Sequence, residues 1–284
     1  MTEEQLERSN NPQTKELQRV ILGILKAIDK VCKEHGLRYY LIAGTMLGAV
    51  RHKGFVPWDD DADVALPRKD YDILLANANK WLPEEYELVS NQTDPHYPYA
   101  FARIQDKRTT YILRRHFDFI GGLPVDVFPL DGMVENTLRR RIHYLQYYLF
   151  DKVKYFNLVD PYKHGRGLRS IFVKLMHNMF NTEHLHKHLD EIQREFSTDG
   201  SSLIADHDNR PQRGILPKEV YGKPQPVCFE DTVLMGVEQP DVYLRYCYGD
   251  YMQYPKDLPP QNYRYLNLKV PYEEYKKRHG KDSA

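Results

Sequence analysis

Four carboxylates crowd into five positions where an apolar strand begins: Asp59-Asp60-Asp61-Ala62-Asp63, running on into Val64-Ala65-Leu66. No other stretch constrains the fold as tightly. A charge taken out of water unpaired is costly, so the chain must bring backbone donors, a basic side chain or a cation to that strand mouth. Side chains two apart on a strand face one side, so Asp61 and Asp63 aim at one point. Adjacent carboxylates repel unless a cation lies between them. Divalent ions that favour oxygen suit such a pair, Mg²⁺ first and Mn²⁺ as the alternative. Mg²⁺ takes one or two carboxylates together with phosphate oxygens and water. Two plainer readings compete. One is a solvated acidic loop. The other is a calcium loop of the EF-hand type, which fails because Val64 stands where that loop needs Gly and Asp70 where it needs Glu.

A third acid strengthens the metal reading. In Leu123-Pro124-Val125-Asp126-Val127-Phe128 a lone Asp interrupts an apolar strand pattern. It needs a partner, and a core Asp bonded to backbone or Arg is the plain alternative. With Val125 and Val127 on the opposite face, Asp126 joins Asp61 and Asp63 if the two strands are neighbours. Upstream, Gly44-Thr45 ends one strand and opens a helix. That geometry offers backbone N–H groups to a phosphate. A strand, Gly-Thr, a helical turn, Asp-x-Asp on a second strand and a distant Asp on a third is the layout of the nucleotidyltransferase fold.

Forty Lys and Arg balance forty Asp and Glu, so no basic excess points to a nucleic-acid partner. With 41% hydrophobic residues the chain is not of the disordered class. No apolar run is long enough for a membrane span, and residues 1–13 lack the apolar core of a secretory signal. Cys32, Cys228 and Cys247 are far apart with no paired spacing, which argues for a reducing, cytoplasmic setting. The 22 Tyr outnumber the 11 Phe and 2 Trp, a bias toward half-buried or ligand-facing aromatic positions.

Periodicity predicts helices over 14–35, 68–80, 134–155, 168–180, 183–196 and 240–248. It predicts strands over 39–43, 62–66, 86–90, 99–105, 109–113 and 123–128, short strands within 213–238, and a polar, Pro-punctuated tail over 250–284. The class is α+β: a mixed sheet flanked by helices, with a catalytic core over 1–132. A more helical half over 133–284 is expected to complete it.

Gly44-Thr45-Met46-Leu47-Gly48-Ala49-Val50-Arg51-His52-Lys53-Gly54-Phe55-Val56-Pro57-Trp58, followed by the acidic run, strongly resembles the signature of the LicD family. These are phosphocholine transferases, distantly similar to fukutin-type ribitol-phosphate transferases. Further matches are Arg68-Lys69-Asp70-Tyr71, Phe101 to Asp106 with Thr109, Val125 to Pro129, and Tyr248 to Met252. Ala62 stands where a larger aliphatic residue is expected. The resemblance spans residues 15–260. It implies Mg²⁺-dependent transfer of a phospho-alcohol, typically phosphocholine from CDP-choline. The acceptor is a hydroxyl of a cell-surface glycan or its lipid-linked precursor, and CMP leaves. The resemblance also implies that the half over 133–284 forms the acceptor site. Asp61 and Asp63 match the family's metal ligands and Asp126 its third acid.

The chemistry is consistent with these residues. A metal held by Asp61 and Asp63 neutralises and orients a diphosphate. Asp126 completes the shell or accepts the hydroxyl proton. Gly44, Thr45, Asp60, Arg51, His52, Lys53 and Arg103 are candidates for nucleotide and phosphate contacts. Tyr39, Tyr40, Tyr97, Tyr99, Tyr248 and Tyr251 lie near these motifs. Their rings could attract a quaternary ammonium at about 0.5–2 kcal/mol each, with ordinary packing as the plain alternative. His184, His186 and His188 form a weak zinc candidate, and Arg139-Arg140-Arg141 a basic run suited to anionic lipid or phosphate. A lipid-linked acceptor would require peripheral contact with the inner face of a membrane. A nucleotidyltransferase releasing pyrophosphate and a non-catalytic metal- or nucleotide-binding module remain as alternatives.

Overall fold

A central mixed sheet carries the site. In this computed structural model the described residues are 2–114, 117, 119–158, 171, 175, 180–209, 211–258 and 260–279. The chain opens with α1 (Glu3–Asn10) and α2 (Pro12–Glu34). Asn11 caps α2 through its side chain and Pro12 occupies the first turn. Leu17, Ile21, Ile24, Leu25, Ile28, Val31 and Cys32 form the buried stripe of α2.

Strand β1 (Tyr40–Leu41) is followed at once by α3 (Ala43–His52), and β2 (Asp63–Pro67) by α4 (Arg68–Trp81). Then come β3 (Tyr86–Val89), β4 (Ala102–Leu113) and β5 (Ile120–Met133). The order β1-β2-β5-β4 forms the centre, with β2 and β5 parallel and the other pairs antiparallel. The expected strands 99–105 and 109–113 are one strand, β4, whose pairing with β5 shifts register between Asp106 and Tyr111. Such an irregularity bends a strand without ending it.

The second half returns to this sheet. Helices α5 (Thr137–Leu158) and α6 (Thr182–Gln193) pack on each other. Strands β6 (Leu203–Ala205) and β7 (Ile215–Pro217) extend the end of β5. A hairpin of β8 (Gln225–Phe229) and β9 (Thr232–Gly236) forms a separate two-stranded sheet whose Phe229 and Leu234 join the main core, and the helix Pro240–Tyr248 packs on α3. The tail is more ordered than its proline content suggests. It contains β10 (Tyr263–Asn267), paired with β4, and the helix Tyr272–His279. The helix expected over 168–180 lies outside the described residues, apart from Ile171, Leu175 and Phe180. One core joins both halves, from Leu17 on α2 through Val125 and Val127 on β5 to Leu244 near the C-terminus.

Candidate active site

The register of the sheet builds the site. Asp63 on β2 pairs with Asp126 on β5, and Asp126 pairs with Arg103 on β4. The three residues therefore form a row across adjacent strands, each side chain on one face while Val125 and Val127 are buried in the core. Arg103 grips Asp126 in a two-pronged bond, Nε to Oδ1 at 2.6 Å and Nη2 to Oδ2 at 3.1 Å. Its guanidinium lies 4.4 Å from the centre of the Tyr99 ring. Arg103 Nη1 is buried without a hydrogen-bond partner. A cavity of about 210 Å³ opens here, lined by Asp60, Asp61, Tyr99, Arg103, Tyr111 and Asp126 among others.

Asp61 and Asp60 are held from the far end of the chain. Asn262 donates from Nδ2 to Asp61 Oδ2 at 2.7 Å and from its backbone N to Asp60 Oδ2 at 3.1 Å. Asn262 O in turn accepts from the backbone of Arg114, fixing the start of β10 against the end of β4. Thr45 Oγ1 accepts from the backbone N of Asp63 at 2.8 Å, tying the first turn of α3 to the first residue of β2. Its hydroxyl hydrogen remains available to a ligand. Gly44 answers a steric demand: a Cβ there would lie 3.0 Å from Asp59 Oδ2. The backbone strain falls one residue earlier. Ala43 has φ +48°, a region an L residue enters at a cost, and its N–H donates to the Tyr243 hydroxyl at 2.9 Å.

Burial and mutual repulsion favour the protonated form of these acids. Burial pushes the Asp61 carboxyl up to about 7, with Asp60 and Asp126 adding to the shift. Burial, then the charges of Asp61 and Asp126, hold Asp63 well above the usual carboxylate range. Burial, Asp61 and Asp60 do the same for Asp59. An all-oxygen donor set under mutual repulsion fits a hard divalent ion. Among the described residues no three such side chains are yet gathered as a cation cage. Asp126 is turned to Arg103 and Asp61 to Asn262, so these two contacts must be shared or exchanged for a metal to bind.

The other expected contacts spread along α3. Arg51 Nη1 donates to Tyr251 O at 2.8 Å, and its guanidinium lies 4.9 Å from the Tyr254 ring centre. It braces the 251–254 segment, and burial lowers its pKa against the opposing effects of Tyr254 and Asp59. His52 accepts from Arg51 Nε at 2.8 Å and stacks on Tyr254. Lys53 is exposed at the C-terminal end of α3 with φ +61°. It stands a whole helix length from Thr45, roughly 12 Å at 1.5 Å per residue.

Of the tyrosines, Tyr99 lines the acid cavity and Tyr248 feels the charges of Asp63, Asp59 and Asp61 after the effect of its own burial. Tyr39, Tyr40 and Tyr251 are committed elsewhere, donating to Asp29, Gly222 O and Asp241 respectively. Tyr97 is fully buried in the core. His184 and His188 are exposed on α6 and His186 is buried, so these imidazoles do not converge. Sequence reasoning missed Asn262 and Tyr111. The Tyr-x-Tyr-x-Asn alternation of β10 was the available sign of a strand reaching this site.

Residues 36–161, which contain Asp61, Asp63 and Asp126, match the family described as LicD/FKTN/FKRP, nucleotidyltransferase domain. The chain is 27% identical over 257 residues to the lipopolysaccharide cholinephosphotransferase LicD of Haemophilus influenzae, covering 87% of this chain and 92% of that protein. It is 38% identical over 56 residues to the ribitol 5-phosphate transferase FKRP of Homo sapiens, covering 20% of this chain and 10% of that protein.

Proposed function

Because residues 36–161 form a domain of the LicD family, we propose that this chain is a transferase moving a phospho-alcohol onto a glycan hydroxyl. The donor is a nucleotide-activated alcohol, CDP-choline in the leading form of the proposal, and CMP is the leaving group. The acceptor is a surface glycan such as lipopolysaccharide or its lipid-linked precursor. The observation that supports the reading is one cavity lined by Asp61, Asp126 and the buried Arg103, with Asp63 paired to Asp126 on the neighbouring strand.

Asp61 and Asp63 would hold a divalent ion, Mg²⁺ or Mn²⁺, with Asp126 as the third oxygen ligand. Bound there, the ion supplies charge neutralisation for the diphosphate. Arg103 offers its unpartnered Nη1 to a phosphate oxygen while Nε and Nη2 keep Asp126 in place. Thr45 and the first turn of α3 present a hydroxyl and backbone N–H groups on the other side of Asp63. Asp126 is the one acid on the row with a cationic neighbour in direct contact. In this proposal it would take the proton of the attacking hydroxyl while Arg103 Nη1 meets the phosphate. Tyr99 and Tyr111 wall the cavity where the alcohol would sit.

Calorimetric titration of CDP-choline tests the reading. Binding should tighten at least about tenfold when Mg²⁺ is added, and Asp61→Asn should abolish that gain. Equal nucleotide affinity with and without the ion would leave a binding module in place of an enzyme.

A further inference from the structure

Helix α5 is apolar on two sides. Its inner side, through His143, Tyr144 and Tyr147, is buried against Leu189 and Ile192 of α6 and against Phe196 and His207. Its outer side carries Leu138, Ile142, Leu145 and Leu149, which are 68%, 49%, 70% and 60% exposed. Their spacing of four, three and four residues aligns them in one ridge, roughly 16 Å long at 1.5 Å per residue. An apolar helix face is ordinarily turned to a core, and a continuous exposed one marks a contact surface.

The charges beside the ridge select its partner. At 100° per residue, Arg141 and Lys152 fall on one flank and Arg139, whose guanidinium lies 5.5 Å from the Phe196 ring centre, on the other. The helix's one acid, Asp151, pairs with buried Lys154 at 3.0 Å, on the inner side. Tyr148, 37% exposed, lies on the Arg141 flank. Aliphatic side chains along the middle, cations on both edges and a tyrosine at the boundary form the pattern of a helix lying in a bilayer interface. Long basic side chains can reach lipid phosphates while Leu and Ile enter the acyl region. No helix among the described residues is long and apolar enough to cross a membrane, so this contact is peripheral.

We propose that the outer face of α5 docks on an anionic phospholipid bilayer, with Leu138, Ile142, Leu145 and Leu149 inserted and Arg139, Arg141 and Lys152 on the lipid phosphates. This goes beyond the transfer reaction and does not depend on it. The test is flotation of the purified full chain with vesicles of phosphatidylcholine alone or mixed with phosphatidylglycerol. The wild type should float with the anionic vesicles, less so in high salt. The double variant Leu145→Glu/Leu149→Glu should lose at least about tenfold in partition at an unchanged melting temperature, since both side chains are exposed. Arg139→Glu/Arg141→Glu should erase the preference for anionic lipid. The proposal is overturned if the wild type floats with neither vesicle or the Leu145→Glu/Leu149→Glu variant floats as well as the wild type. It is equally overturned if the wild type stays unbound and sediments as a dimer that this variant dissolves, which makes the ridge a self-association surface.

Discussion

Asp63 and Asp126 stand opposite each other on the parallel strands β2 and β5, joining an acid from residues 59–63 to one that lies 63 residues further along the chain. That pairing turns two separate sequence features into one electrostatic unit, in which Asp126 raises the pKa of both Asp61 and Asp63. A protein that keeps such carboxylates together without a cation carries a repulsion that a metal would relieve.

Asp63→Asn removes one repelling charge. Without divalent ion, the variant should melt at the same temperature as the wild type or higher, because no ion pair is lost. Metal-dependent transfer should fall by roughly a hundredfold or more, in line with the several kcal/mol a metal contributes to phosphoryl transfer. A lowered melting point with retained transfer would place Asp63 in folding alone. Calorimetric melts and initial rates separate these outcomes.

Arg103→Ala should be among the most destabilising single changes at the site. Arg103 and Asp126 have side chains only 7% and 18% exposed, and their bond is two-pronged. Removing one member of a buried pair costs about 3–5 kcal/mol, largely from the charge left behind. Urea unfolding of Arg103→Ala and of Arg103→Ala/Asp126→Asn checks this. The double variant should recover part of the loss, and a double variant worse than the single would contradict it.

The motif residues separate on the structure in a way their adjacency in sequence hides. Gly48, four residues after Gly44, serves packing: a Cβ there would meet Gly54 O at 2.4 Å and Val56 N at 2.9 Å, both backbone atoms. Gly48→Ala should therefore cost about 1–3 kcal/mol from overpacking, despite the better helix propensity of Ala. A melt showing stabilisation would refute the close approach.

That Asp63 opens an apolar strand was legible because a strand's two-residue period acts locally, whereas Asp61 lies before that strand and is turned to Asn262. Also legible were α2, α4 and the helix Pro240–Tyr248, whose apolar spacing is regular. The continuity of β4 was not, since Asp106, Lys107 and Arg108 read as a break while the strand merely shifts register there. Nor was Asn262. Its role rests on β10 reaching back to β4, a long-range pairing that no local pattern encodes. Three of the six tyrosines near the motifs have structural roles, for Tyr39, Tyr40 and Tyr251 spend their hydroxyls on Asp29, Gly222 O and Asp241. The positive φ of Ala43, one residue before Gly44, was not legible either, since nothing in the local sequence marks it.

His186 gives a pH dependence separate from the acids. It is 5% exposed, and burial, then Lys154, push its pKa down from 6.5 to about 3. Neither ring nitrogen makes a formed hydrogen bond, although the Tyr97 backbone is near enough to favour protonation. The folded state thus keeps this imidazole neutral where the unfolded chain protonates it. Its contribution is fully present above pH 6.5 and is lost as pH falls toward 3, by up to about 1.4 kcal/mol for each pH unit. Asp61, raised to about 7, has the opposite slope, so the comparison must be made against a variant. The stability of His186→Gln relative to wild type should rise as the pH is lowered from 7 to 5. A difference that stays flat across that range would show that His186 titrates in the folded protein as it does in the unfolded chain.

The central claim is transfer of the alcohol-bearing phosphoryl group through the Asp61–Asp63–Asp126 site. It is tested most directly by identifying the products formed from CDP-choline, Mg²⁺ and a lipopolysaccharide acceptor. Phosphorus NMR should show CMP and a new phosphodiester on the glycan appearing in equal amounts with the wild type, and neither with Asp61→Asn. Release of pyrophosphate from a nucleoside triphosphate with a nucleotide left on the acceptor, or CMP formation that Asp61→Asn does not reduce, would contradict it.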